Sequence, residues 1–190
     1  MLESRLLARR VGPLDTAARA VSPSSGVEVR ALGPATRLSL RIRLGEAQPE
    51  LAGLDLAINR MVGTGERWCA RLGPDEWLTG GPEADNELIQ GEIEQALEGC
   101  FHSLVDVSHR NVGFEISGAT AAQALNAGCP LDLHDAAFPA GSATRTLLGK
   151  VEIVLLRPSD APVYRVDCWR SFAAYVHGFL VEAADSTVAV

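Results

Sequence analysis

Several short runs hold residue types that could do chemistry. In Val105-Asp106-Val107-Ser108-His109-Arg110, a hydroxyl, an imidazole and a carboxylate supply the parts of a nucleophile, base and orienting acid. Their adjacency works against that use. On a strand Asp106 and Ser108 share one face and His109 takes the other, so turn capping and an edge contact are the expected roles. Asp132, His134 and Asp135 offer oxygen and nitrogen donors for a divalent ion, but three residues in one loop bounded by Pro130 and Pro139 read first as a surface turn. His102 and His177 have no acidic or thiol neighbour at ligand spacing and are expected to be structural, as are Trp68, Trp77 and Trp169.

Phosphate chemistry fares no better. Gly63-Thr64-Gly65-Glu66 lacks the third glycine of a dinucleotide loop and reads as a turn. Gly141-Ser142-Ala143-Thr144-Arg145-Thr146 has hydroxyls and an arginine but no P-loop lysine, so a turn leading into a strand is expected. Ser117-Gly118-Ala119-Thr120, at a strand-to-helix junction, reads as capping with amides that could meet an anion. Cys69, Cys100, Cys129 and Cys168 lie 31, 29 and 39 positions apart with no C-x-x-C pair, which argues against a zinc ribbon and for small buried thiols. On these grounds no catalytic, cofactor-binding or metal-binding residue is assigned.

The elements that must position these residues follow from periodicity. Residues 1–25 mix Arg, Ala, Pro, Ser and Gly without an apolar period and read as an N-terminal arm and linker. Strand patterns at 27–31 and 36–44, split by Gly33-Pro34, predict a hairpin; Leu51, Leu54 and Ile58 predict a short helix. A second hairpin spans 68–72 and 76–79 around Gly73-Pro74-Asp75. The clearest helix is 85–97, with a Leu88, Ile89, Ile93, Leu97 stripe, Asp85 as N-cap and Gly99 as terminator. Strands follow at 103–108, 111–117, 143–148, 151–157 and 162–168, with helices at 119–127 and 172–184. The order predicts an α+β fold in which 26–190 forms one domain of two intertwined pseudo-repeats, about 26–100 and 101–186. A faint echo between Arg67-Trp68-Cys69-Ala70-Arg71 and Tyr164-Arg165-Val166-Asp167-Cys168, each leading to a closing helix, points the same way.

Composition bounds the partners. The 190 residues carry a formal charge of -7, with 17 basic against 24 acidic side chains, which gives no electrostatic footprint for nucleic acid or an anionic membrane. Residues 1–71 hold 11 Arg and 7 acids, whereas residues 72–190 hold 6 basic and 17 acidic residues. Sixteen of the 17 basic residues are Arg, which suits planar ion pairing and is also what biased codon usage would produce. Arg5, Arg9, Arg10, Pro13 and Asp15 interrupt any secretory signal, and the densest apolar run, 151–156, is too short to span a bilayer. A cytoplasmic protein with reduced thiols is expected.

Beyond composition, Leu104-Val105-Asp106-Val107-Ser108-His109-Arg110-Asn111-Val112-Gly113-Phe114-Glu115-Ile116-Ser117-Gly118 resembles the gamma subunit of heterotetrameric sarcosine oxidase. The resemblance continues through Ala124-Leu125-Asn126-Ala127-Gly128-Cys129-Pro130-Leu131-Asp132-Leu133, Arg145-Thr146-Leu147-Leu148-Gly149-Lys150, Trp169-Arg170-Ser171-Phe172 and Tyr175-Val176-His177-Gly178-Phe179. Leu72-Gly73-Pro74-Asp75-Glu76-Trp77-Leu78 adds an upstream anchor. It implies a fold like the folate-binding domain of the glycine-cleavage aminomethyltransferase. It also implies a non-catalytic subunit, partnered by alpha, beta and delta subunits, in a complex that converts sarcosine, oxygen and tetrahydrofolate to glycine, 5,10-methylenetetrahydrofolate and hydrogen peroxide. FAD, FMN, NAD and tetrahydrofolate would then sit on other subunits and none on this chain. The sequence has neither the N-x-x-G-G-I-x-D stretch of active aminomethyltransferases nor the K-G-C-Y-x-G-Q motif of the iron-sulfur-associated folate proteins. The alternative is a stand-alone folate-binding or one-carbon-transfer protein of the same superfamily.

Overall fold

Alternating apolar residues dictate most of the architecture. The computed structural model describes residues 12–14, 26–43, 51–63 and 66–187. Among the described residues ten strands form one sheet: β1 Glu28–Ala31, β2 Ala35–Ile42, β3 Arg60–Val62, β4 Trp68–Arg71, β5 Glu76–Pro82, β6 His102–Asp106, β7 Asn111–Ser117, β8 Ser142–Leu148, β9 Val151–Arg157 and β10 Val163–Trp169. Three α-helices among the described residues join them, α1 Asn86–Ala96, α2 Ala121–Asn126 and α3 Ala173–Ser186. The spatial order is β1-β7-β10-β9-β8-β3-β4-β5-β2-β6, with every pairing antiparallel. The chain is thus mainly sheet with few helices.

The period-2 rule sorts side chains cleanly between the two faces. On one face Phe114, Ile116, Ile153, Leu155, Tyr164 and Val166 pack beneath α2 and α3. On the same face Leu38, Leu40, Ile42 and Trp77 meet Ile89, Ile93 and Leu97 at and just beyond α1. On the other, Met61, Trp68, Ala70, Leu78, Ala143, Val154 and Leu156 form a third cluster. That second face is concave, because side chains from strands that are not neighbours meet across it.

The expected β1–β2 hairpin does not form. β1 pairs only with β7, and β2 lies between β5 and β6. Residues 32–34 are a crossing link, anchored where the Leu32 amide donates to the Gly113 carbonyl at 2.9 Å. The helix expected from Leu51, Leu54 and Ile58 is replaced by turns; Leu54 is buried but Ile58 is exposed. Leu88 also leaves its stripe and is 56% exposed, and Asp85 makes no side-chain cap bond to α1, since Arg67 takes its carboxylate at 2.9 Å. β3 had no sequence signal at three residues in length. Of the N-terminal arm only residues 12–14 are described, and there Leu14 is buried in the cluster beneath α3.

Gly80 is fixed by close approach: a Cβ there would lie 2.3 Å from the Trp68 indole. Gly80→Ala should therefore lower stability by about 1–3 kcal/mol through overpacking. Gly91, in mid-α1 with open space around it, should respond oppositely, Gly91→Ala raising stability by roughly 0.5–1 kcal/mol. Urea unfolding of the two variants checks the pair of signs.

Candidate functional site

The most concentrated chemistry lies on the concave face. Arg37 projects from β2, on the side opposite Leu38 and Leu40, and Asp167 projects from β10, opposite Val166 and Cys168. Both are 1% exposed. Arg37 Nη2 and Nε donate to Asp167 Oδ1 at 2.7 and 3.2 Å. The other carboxylate oxygen faces Arg165 Nε at 3.5 Å. Arg165 in turn lies over the Trp68 ring, 4.9 Å from its centroid. Gly113 makes room, since a Cβ there would lie 2.6 Å from both Arg37 Nη2 and Asp167 Oδ1. Burial opposes ionisation of Asp167, but the two guanidinium groups outweigh it and hold the carboxyl below its ordinary range.

The backbone of Arg37 is tied down as firmly as its side chain. Its amide donates to Ser108 Oγ at 2.9 Å and its carbonyl accepts from the Val107 amide at 2.8 Å. Ser108 also donates its own amide to Asp106 Oδ1 at 2.8 Å, and Asn86 Nδ2 donates to Asp106 Oδ2 at 3.2 Å. Asp106 and Ser108 therefore close a turn and fasten it to β2, while His109 is exposed. Burial works against ionisation of Asp106, but these bonds from Ser108 and Asn86, together with the charge of His109, lower its pKa.

The other sequence candidates are built into loops and strands. His134 donates its amide to Asp132 Oδ1, and Asp135 pairs at 2.7 Å with Arg157, a buried residue that also donates to the Phe138 carbonyl. Among the described residues no group of three His, Cys, Asp or Glu side chains could hold a metal ion. Arg145 is bound by Glu152 at 2.9 Å and by Glu76, which engages the guanidinium that might have met a phosphate. Gly63 turns from β3 towards β4, a strand, so no helix N-terminus follows it and a dinucleotide does not fit; Thr64 and Gly65 lie outside the described residues. Thr120 makes no side-chain cap bond to α2.

His102 departs from expectation, since its Nε2 meets Glu94 Oε2 at 3.0 Å. His177 is buried in α3, its ring 6.0 Å from that of Phe114, and burial lowers its pKa. All four thiols are free. Burial, then the Asp167 charge, pushes Cys168 up to about 12, and burial raises Cys69. Among the described residues, arginines of the first segment are engaged within the chain: Arg30 with Glu115, Arg41 with Asp75 and Glu76, Arg67 with Asp85 and Glu92.

Sequence reasoning missed Arg37 and Asp167 as a pair. The available signal was a charged residue inside each strand, Asp167 between Val166 and Cys168 and Arg37 between Thr36 and Leu38; what it lacked was a reason to join positions 130 residues apart.

A curled antiparallel sheet with helices on its convex side is an aminomethyltransferase-like fold. The aminomethyltransferase of the glycine cleavage system from Bartonella henselae shares that fold at 12% identity and a TM-score of 0.60, covering 85% of this chain and 46% of that one. More specifically, a family model described as sarcosine oxidase, gamma subunit family, matches residues 44–186, and the chain belongs to that family. Sarcosine oxidase subunit gamma of an Arthrobacter species is 33% identical over 147 residues, 77% of this chain and 69% of the relative. A chain of the heterotetrameric sarcosine oxidase from Corynebacterium sp. U-96 superposes with a TM-score of 0.80 at 25% identity, covering 95% of this chain and 97% of that one.

Asp167→Asn should cost about 3–5 kcal/mol at neutral pH by leaving Arg37 buried without a counter-charge, whereas Arg37→Met with Asp167→Leu should cost less than the single change. Chemical denaturation at pH 7 compares them. His177 gives a second expectation: the unfolded histidine binds its proton near pH 6.5 and the buried one only lower, so stability falls as pH drops through that window. The slope of unfolding free energy against pH between about 7 and 5 should flatten in His177→Gln.

Proposed function

We propose that this chain is the structural, non-catalytic gamma subunit of a heterotetrameric sarcosine oxidase, joined there by alpha, beta and delta subunits. The reaction is oxidative demethylation of sarcosine with oxygen and tetrahydrofolate, giving glycine, 5,10-methylenetetrahydrofolate and hydrogen peroxide. FAD, FMN, NAD and tetrahydrofolate belong to the partner subunits in this reading, and the complex works in the cytoplasm. The observation that carries it is the near end-to-end likeness to a chain of a heterotetrameric sarcosine oxidase. The site's chemistry is in keeping: the concave face, where non-neighbouring strands meet, is bridged by Arg37, Asp167 and Arg165, already bound to one another.

The same reading includes an internal duplication of the α+β kind. Units of about 26–100 and 101–186 each contain an edge strand, four further strands, a 3-10 turn and a closing helix, and each donates its edge strand to the other. β2, β5, β4 and β3 correspond to β7, β10, β9 and β8, and β3 and β8 meet at the centre. The turns Glu83–Asp85 and Arg170–Phe172, each following a seven-residue strand, occupy equivalent places. This correspondence sets β4 against β9, so the echo between residues 67–71 and 164–168 aligns strands that are not equivalent.

Co-expression with the other three subunits, carrying an affinity tag on the largest, tests the function. This chain should co-purify in equal amount with its partners and be better behaved with them than alone. A chain that stays a stable free monomer while the others assemble an active oxidase without it would overturn the reading.

A further inference from the structure

The acidic second segment contains a surface built from three stretches that carry no carboxylate of their own. Residues 72–190 hold 17 acids against 6 bases, yet 108–113, 146–151 and 169–181 contain none. These three stretches meet. Trp169, at the end of β10, stacks on Phe172 with ring centroids 6.2 Å apart, and Arg110 lies over the Trp169 ring at 5.7 Å. The Arg170 amide donates to the Arg110 carbonyl at 2.6 Å. One turn further along, the Tyr175 hydroxyl accepts from the amide of Lys150, on the β8–β9 turn, at 3.4 Å. Trp169, Phe172 and Tyr175 are 47%, 39% and 42% exposed. Glu76, Glu152 and Asp167 share a shallow cleft with Trp169, and each is already bound by the chain's own arginines: Glu76 by Arg41 and Arg145, Glu152 by Arg145, and Asp167 by Arg37.

Three part-exposed aromatic side chains with Arg110 and Lys150 beside them depart from ordinary surface composition in the direction of an interface centre: rigid apolar area with exposed cations at its edge. The chain's one lysine stands at its rim. A surface whose nearby carboxylates are engaged by the chain's own arginines, with Arg110 and Lys150 exposed at its edge, is matched by a negatively charged occupant.

We propose that the Trp169–Phe172–Tyr175 face is where this chain docks on a larger subunit of its complex, through a segment that places an apolar side chain on the aromatic pair and carboxylates beside Arg110 and Lys150. The inference rests on reading the chain as a subunit of such a complex.

The test uses the full chain co-expressed with its partner subunits and captured through a tag on one of them, with retention measured at low and high salt. Wild-type retention should fall as salt rises. Trp169→Ser with Phe172→Ser should reduce it at least about tenfold. Arg110→Glu with Lys150→Glu, both at exposed positions, should do the same and abolish the salt dependence, while Phe101→Ser, at an exposed apolar residue elsewhere, should be retained as wild type. Retention of both double variants at wild-type level overturns the docking face alone. Failure of the wild-type chain to be retained overturns the subunit reading with it. Self-association that Trp169→Ser with Phe172→Ser abolishes, with partner retention intact, makes a second copy the occupant and overturns the proposal.

Discussion

The Arg37–Asp167 ion pair is the constraint on which the rest of the fold depends. β2 and β10 stand six places apart in the sheet order, and a flat sheet would hold them roughly 29 Å from each other. Their side chains instead meet at 2.7 Å. The sheet must curl until its two ends face, and the helices can then cover only the outside of the curve. Several otherwise unconnected facts follow from that closure. Gly113 is needed beside the pair, Gly80 beside Trp68, and the turn at 106–109 must fasten the backbone of Arg37 so that its guanidinium arrives in register.

A buried ion pair of this kind contributes less to net stability than its geometry suggests, because taking both charges out of water costs most of what their attraction returns. What it supplies is specificity. Removing one partner strands a charge in the concavity, so alternative registers of β2 or β10 carry a steep penalty. The same charges that close the sheet also engage the groups with which the concave face could have held an anionic ligand. A subunit that serves its complex by shape and surface is consistent with such an interior, and the exposed aromatic face at the end of β10 and the start of α3 lies at the edge of the curve, where Trp169 shares a cleft with Asp167 and Arg145.

Local features of this fold were legible in the sequence and non-local ones were not. The β4–β5 and β8–β9 hairpins, α1 and α3 each declare themselves through a period and a turn within about 20 residues, and the structure has them within a residue or two of the expected bounds except at the end of β5, which runs three residues further to Pro82. The β1–β2 hairpin was misread because two adjacent strand patterns with Gly-Pro between them look alike whether the strands pair with each other or are exchanged between halves of the chain. β3 is too short for alternation to register. Asp85 has the right type and place for a cap but was taken by Arg67, a competitor 18 residues away. At the site, the capping role of Asp106 and Ser108 followed from their spacing; the ion pair they support did not, since nothing in either strand names its partner.

The central claim, that this chain is a scaffold whose concave face is bridged by its own charges and not a folate-binding protein in its own right, is tested most directly by equilibrium binding of tetrahydrofolate to the full chain. Scaffold function predicts no saturable binding at concentrations where folate enzymes are filled. Saturable binding at micromolar or lower concentration, weakened by Arg165→Ala or Trp68→Ala, would contradict it.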